Sequence, residues 1–126
     1  MALPAFKKCI VSIGDQRLEG ILREPEKARG LVIFSNGAGS SRSSPRNNHV
    51  ADRLGQHGIA TMLFDLLTED EAKDRANVFD IPRLCGRIIE AIDWAGADAE
   101  QSGRRIGLFG ASTGAAAALV VHDFSQ

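Results

Sequence analysis

Residues 105–121, RIGLFGASTGAAAALVV, begin as a mainly apolar segment and continue as a segment of small residues. The apolar run at 106–109 predicts a buried strand, and the small residues after Gly114 predict a helix. Between them, Gly110-Ala111-Ser112-Thr113-Gly114 fits the pattern G-x-S-x-G. At a sharp strand-to-helix corner this pattern presents the serine hydroxyl at the C-terminal edge of a sheet. Gly110 and Gly114 suit such a corner because two backbone segments approach there too closely for larger side chains.

Ser112 is therefore the candidate nucleophile, and two main-chain N–H groups are candidates for binding the oxyanion of an acyl-transfer reaction. One is the N–H of Thr113, at the start of the predicted helix. The other lies in the loop Asn36-Gly37-Ala38-Gly39-Ser40, which follows a predicted strand at 31–34. Gly37 and Gly39 let the backbone turn the amide of Ala38 toward a reacting carbonyl, and Asn36 can shape the loop by hydrogen bonding.

Strands and helices alternate along the rest of the chain. Residues 6–13 and 17–23, separated by Gly14-Asp15-Gln16, predict an antiparallel hairpin. Short apolar runs at 31–34, 59–64 and 105–110 predict strands covered on both faces. Helices are predicted at 45–56 and at 81–95, where apolar residues (81, 84, 85, 88, 89, 92 and 95) recur at i, i+3, i+4, i+7 spacing. The charged segment 68–75 predicts a solvated loop or short helix.

This order predicts an α/β fold, in which an N-terminal β-hairpin leads into a mainly parallel sheet with crossover helices on both faces. A length of 126 residues suits a single domain. The net charge of −1 gives no electrostatic basis for binding nucleic acid or an anionic membrane, and no apolar stretch could span a bilayer. Cys9 and Cys85 lie far apart without metal-site spacing, so we expect two reduced, mostly buried thiols in a cytoplasmic protein and no metal.

Four blocks in order carry a resemblance to a known family. They are SNGAGSS with SPRN (35–41 and 44–47), FDLLT (64–68), DRANVFD (74–80) and GLFGASTGAA (107–116). On these blocks the chain resembles the N-terminal half of a dienelactone hydrolase-type member of the α/β-hydrolase superfamily. The resemblance implies that Ser112 is the nucleophile and that the amides of Ala38 and Thr113 form the oxyanion hole. It also implies esterase- or lactonase-like chemistry on small ester or lactone substrates, without a cofactor.

The chain departs from this family in its catalytic acid and histidine. In this fold the triad runs serine, acid, histidine along the chain. The fourteen residues after Ser112 contain one histidine and one aspartate, His122 and Asp123, and ten residues of helix would put His122 about 15 Å from the serine. We interpret His49 and His57 as surface residues. Because serine without a base is a weak nucleophile, we expect a truncated α/β-hydrolase fold with little or no turnover, and its status as an enzyme stays open.

A missing second half has a structural consequence as well. Residues 105–109 would form an exposed, apolar, parallel edge, and such edges recruit another chain. We therefore expect a homodimer or larger assembly, formed through this edge or by exchange of the C-terminal helix.

Two alternatives remain open at the level of sequence. The chain could be a non-enzymatic, truncated pseudo-hydrolase that self-associates. Alternatively, residues 107–114 could be the strand–turn–helix of a dinucleotide-binding module, although no acidic ribose ligand follows about 20 residues later. Three charged residues near the loop 36–40 have simple roles in this prediction. We expect Asp65 to bind local amides. We expect Arg42 and Arg46 to be solvated rather than to bind an anionic substrate.

Overall fold

The computed structural model describes residues 6–36, 42–98 and 100–111. They form one mixed sheet and four helices. The strands are β1 (Phe6–Ile13), β2 (Leu18–Pro25), β3 (Gly30–Asn36), β4 (Ala60–Asp65) and β5 (Arg105–Ala111). The helices are α1 (Pro45–Gln56), α2 (Glu69–Ala72), α3 (Arg75–Val78) and α4 (Ile81–Ala97).

The sheet order is β1-β2-β4-β3-β5. β1 and β2 form the antiparallel hairpin, whose turn is closed by the Arg17 N–H donating to the Gly14 carbonyl at 3.1 Å. β2 is antiparallel to β4, whereas β4, β3 and β5 are parallel to one another. The predicted α/β architecture, with a hairpin leading into a mainly parallel sheet, is confirmed.

The helix boundaries follow from capping residues in the sequence. Ser44 accepts a hydrogen bond from the Asn47 N–H and caps α1, and Pro45 occupies the first turn, where a missing N–H costs nothing. Asp80 caps α4 in the same way by accepting from the N–H of Arg83. Both helices therefore begin at the residues where the sequence predicts that they begin.

The two long helices cover opposite faces of the sheet and divide the core into two clusters. Alternate residues of a strand point to opposite faces, so Leu31 and Ile33 pack toward α4 while Phe34 packs toward α1. On the α4 side, Leu84, Ile88, Ala91 and Ala95 form the buried stripe. On the α1 side, Ala51 fills the corresponding position against Phe34 and Leu63.

Two expectations about burial are wrong: that both thiols are mostly buried, and that the strand at 105–110 is covered on both faces. Cys9 is exposed because β1 is an edge strand, and only Cys85 is partly buried. Ile89 is 46% exposed, since it lies beside the buried stripe of α4 rather than on it. In β5, Ile106 and Phe109 are 37% and 42% exposed because β5 is the outer strand of the described sheet, which agrees with the exposed apolar edge expected at 105–109.

Candidate active site

Three strands of the sheet end in one row. Asn36, the last residue of β3, is aligned with Asp65 at the end of β4 and with Ala111 at the end of β5. Neighbouring strands lie about 4.8 Å apart. The chain therefore leaves β3 toward Gly37, and leaves β5 toward Ser112, from two neighbouring strand ends at the same edge of the sheet.

Most of the predicted catalytic residues lie outside the described residues, and their roles remain predictions. Two site residues belong to described strands: Asn36 ends β3, and Gly110 precedes the last residue of β5 and is aligned with Ser35. The site residues outside the description are Gly37, Ala38, Gly39, Ser112, Thr113 and Gly114.

An aromatic contact beneath this row joins β3 to β5. Phe34 is fully buried, and its ring centroid lies 4.7 Å from that of Phe109, with 32° between the ring planes. The Ser35 hydroxyl donates to the Phe109 carbonyl at 3.4 Å. Because these residues lie within two positions of Asn36 and Ala111, the contacts fix the two strand ends relative to each other.

Asp65 binds Arg42, the first described residue after the glycine-rich segment. Its Oδ1 accepts from the backbone N–H of Arg42 at 2.7 Å, and its Oδ2 accepts from Arg42 Nη1 at 2.7 Å. Arg42 Nη2 also donates to Glu19 Oε2 at 2.9 Å. The prediction that Asp65 binds a local loop amide is confirmed. The solvated Arg42 expected from sequence is instead paired with two carboxylates.

Two polar residues that reach this corner, Arg23 and Asn48, were not predicted from the sequence. Arg23 in β2 is 1% exposed, and its Nη2 donates to Asn48 Oδ1 at 2.7 Å. Asn48 Nδ2 in turn donates to the carbonyls of Arg42 and Ser44 at 2.8 and 2.9 Å. The sequence carried one signal for this: Arg23 shares its strand face with Ile21, which packs toward α1.

Two histidines belong to the described residues, His49 within α1 and His57 at its C-terminal cap. His49 and His57 are exposed, as predicted. His57 follows the end of α1, and β4 begins three residues later at Ala60. The six residues of β4 separate that end of the sheet from the Asp65 row by about 17 Å. His57 therefore cannot reach a group that follows Ala111.

A second charged cluster lies at the opposite end of the strands and fixes the entry into β5. Arg104, the residue before β5, pairs with Glu24 at 3.0 Å, and Gln101 also donates to that carboxylate. Burial raises the pKa of Glu24, but hydrogen bonds with Glu100, Gln101 and Arg104 outweigh it and lower the pKa. This cluster is structural and remote from the Asn36–Ala111 edge.

Within the described residues, no three His, Cys, Asp or Glu side chains are grouped as metal ligands. Among the same residues, no helix is long and apolar enough to cross a membrane.

The chain is similar to solved hydrolase structures. A dienelactone hydrolase from Anabaena variabilis matches with a TM-score of 0.83 and 44% identity, over 94% of this chain and 57% of that one. A dienelactone hydrolase-like promiscuous phosphotriesterase from metagenomic libraries matches with a TM-score of 0.74 and 20% identity, over 93% of this chain and 54% of that one. The second likeness supports the fold alone.

Curated relatives carry a different name. Two putative phosphoribosyl transferases from strains of Mycobacterium tuberculosis are each 50% identical over 110 residues, which is 87% of this chain and 25% of theirs. The chain thus spans about a quarter of their length, and their name does not say in which part the activity lies. No family model matches the chain.

Proposed function

Because this chain resembles dienelactone hydrolases of the α/β-hydrolase superfamily in fold and sequence, we propose that it carries the nucleophile of a carboxylic ester hydrolase. One observation supports this most directly: Asn36 and Ala111 are aligned neighbours at the ends of parallel strands. The segment with the oxyanion candidates and the segment with Ser112 therefore start side by side. We include a cytoplasmic location in the proposal, since the exposed free thiol of Cys9 suits a reducing compartment.

The proposed reaction is acyl transfer to Ser112. The serine Oγ attacks the carbonyl carbon of a small ester or lactone, its proton passes to a water molecule, and the carbonyl electron pair moves onto oxygen. The amides of Ala38 and Thr113 donate to that oxyanion. Its collapse expels the alcohol, which takes up a proton, and water then cleaves the acyl-serine ester. These steps need no cofactor.

The proposal includes a low rate for this chain by itself. The described histidines are exposed, and His57 lies at the wrong end of the sheet. Serine without a positioned base reacts slowly, and general base catalysis contributes about 10²–10⁴-fold. We therefore expect slow, stoichiometric acylation and almost no multiple turnover.

The test is incubation with p-nitrophenyl acetate, followed by intact-mass measurement and peptide mapping. A single acetyl adduct on Ser112 is expected, and Ser112→Ala should abolish it. Ser12→Ala, which removes an exposed serine of β1, is the matched control and should acylate normally. Unchanged acylation in Ser112→Ala, or no adduct in the unmodified chain, would contradict the proposal. Sustained turnover lost in Ser112→Ala would confirm the nucleophile and contradict the low rate.

A non-enzymatic assembly role is the second candidate. It is favoured by the exposed apolar side chains of Ile106 and Phe109 on the outer strand of the described sheet. This role requires no acylation of Ser112, so the same experiment separates the two candidates. Titration with NAD(P), followed by the fluorescence of Trp94, tests the dinucleotide alternative.

A further inference from the structure

A cavity of about 320 Å³ lies where the three parallel strands begin, at the end of the sheet remote from Asn36 and Ala111. Its volume is at the small end of the range of about 300–1,000 Å³ that is typical of ligand pockets. Of the described residues that line it, two are arginines (Arg29 and Arg105), none is acidic, and the others are apolar residues or glycines. Such a lining suits a molecule that is apolar at one end and anionic at the other.

The floor of the cavity is low because glycine occupies two of its positions. Gly30 is aligned with Arg105 in the β3–β5 pair, and Val32 is aligned with Gly107 two positions further on. These positions share the α1 side of the sheet, toward which Val32 packs. A Cβ atom at Gly107 would meet one atom within 4 Å outside its chain neighbours, Val32 Cγ2 at 3.7 Å. The surface over Gly107 is therefore open to a short apolar chain.

The first arginine is held against the end of α1. The Arg29 N–H donates to the Gly58 carbonyl at 3.0 Å, and Arg29 Nη2 donates to the His57 carbonyl at 2.8 Å. Because the side chain is already ordered, less conformational entropy is lost when it binds a ligand. A guanidinium carries five N–H donors, so this residue keeps donors for an anion.

Both arginines lack a carboxylate partner within the part of the chain that the structure describes. No ion pair there includes Arg29 or Arg105. Arg104, the neighbour in sequence, is instead paired with Glu24 at 3.0 Å. Two cations beside an apolar floor favour an anionic head group, since hydrogen bonds between charged partners are about twice as strong as neutral ones.

We propose that this cavity binds a small amphiphile, whose carboxylate or phosphate head group contacts Arg29 and Arg105 and whose short alkyl chain lies over Val32 and Gly107. The site is separate from the proposed nucleophile, because the 7 residues of β5 place Arg105 about 20 Å from Ala111. The inference therefore does not rest on the proposed ester hydrolase function.

The test is isothermal titration calorimetry of the full chain with octanoate, octyl phosphate, 1-octanol and acetate, each below the concentration at which it forms micelles. The first two carry the alkyl chain with either head group, 1-octanol lacks the charge, and acetate lacks the chain. We expect at least one anionic amphiphile to bind with a Kd of about 0.1–1 mM, which ligand efficiency allows for a molecule of this size. The tighter of the two identifies the head group, and 1-octanol and acetate should show no measurable binding.

Four variants locate the bound ligand. Gly107→Val fills the floor with a residue that suits a strand, and it should raise the Kd at least tenfold. Arg29→Gln and Arg105→Gln should each raise the Kd about tenfold, and they keep the test decisive if Gly107→Val does not fold. Arg53→Gln, the control, removes the same charge from an exposed position of α1 and should bind normally. Thermal unfolding reports whether each variant is folded.

Three results would overturn the proposal. The first is no binding of either anionic amphiphile to the unmodified chain. The second is equal binding of octanoate and 1-octanol, or unchanged binding by folded Gly107→Val and both arginine variants, which would place the ligand elsewhere. The third is a change of molecular mass in these variants by light scattering without binding of any probe, which would make the cavity a contact between copies. The adduct on Ser112 tests the proposed function separately.

Discussion

Glu71 is a single residue whose ionisation the structure couples to folding. Its carboxylate accepts from Arg87 Nη2 at 2.6 Å and Nη1 at 2.8 Å, and the two side chains are 19% and 9% exposed. The hydrogen bonds from Arg87, against the opposing effect of burial, lower the pKa of Glu71 from 4.5 to about 2. Arg87 also donates to the Leu66 carbonyl, so the pair ties α4 to the segment after β4.

The lowered pKa predicts a pH-dependent stability. The folded chain holds the ionised form, so this contribution is complete above about pH 4.5 and is lost as the pH falls toward 2. Glu71→Gln should reduce the free energy of unfolding at pH 7 by about 2–3 kcal/mol and flatten its pH dependence in that window. Urea unfolding followed by Trp94 fluorescence measures both. Asp70→Asn, at a 93% exposed neighbour, should change little, and an equal loss in both variants would contradict the argument.

Part of this interaction could be predicted from sequence and part could not. Thr68 and Glu71 form a capping box, which the spacing T-x-x-E indicates. The charged segment 68–75 was predicted as a solvated loop or short helix, and the short helices α2 and α3 lie there. The pairing of Glu71 was not predicted, because it depends on Arg87, sixteen residues away on another helix. The sequence offered one signal for this pairing, because Arg87 is a charged residue beside the apolar stripe of α4.

At the scale of elements, Gly55 sets how closely α1 approaches β1. A Cβ atom at this position would lie 2.7 Å from the Phe6 ring, so the ring or the helix would have to move. Gly55→Ala should therefore lower the midpoint of thermal unfolding by the equivalent of about 1 kcal/mol, despite the higher helix propensity of alanine.

Gly86→Ala provides the matched control, because a Cβ at that position of α4 meets nothing within 4 Å. There the propensity gain acts alone, and the variant should be more stable by about 0.5–1 kcal/mol. Calorimetry should show that Gly55→Ala lowers stability and that Gly86→Ala raises it if the contact with Phe6 outweighs the helix propensity of alanine. Stabilisation in both would show that the ring moves aside freely.

Element positions were accessible from sequence because local chemistry sets them. Ser44 with Pro45 starts α1, and the apolar run at 31–34 lies within β3. The placing of β4 between β2 and β3 was not accessible, because pairing between distant strands depends on the crossovers rather than on any local pattern. Ile89 shows the same limit, since periodicity identifies the apolar side of a helix but not the edge of its contact.

At the scale of the whole molecule, one part of the candidate site could be predicted from the sequence and another part could not. Two motifs at the ends of parallel strands were predicted to meet, and the alignment of Asn36 with Ala111 agrees with this. The network that holds Arg42 was not predicted, because Glu19, Asn48 and Asp65 come from three different elements or turns. Only the assembled sheet brings these groups to one corner.

The outer strand of the described sheet predicts association of the whole chain. β5 is the outer strand of the described sheet, where it pairs with β3, and its Ile106 is 37% exposed. Unpaired N–H and C=O groups next to apolar side chains favour pairing with a second copy. We expect light scattering at micromolar concentration to give twice the monomer mass, and Ile106→Lys to give the monomer. Ile89→Lys alters an isoleucine that is 46% exposed on α4 and should leave the dimer intact. A monomeric unmodified chain, or dissociation by both variants, would show that β5 does not form the contact.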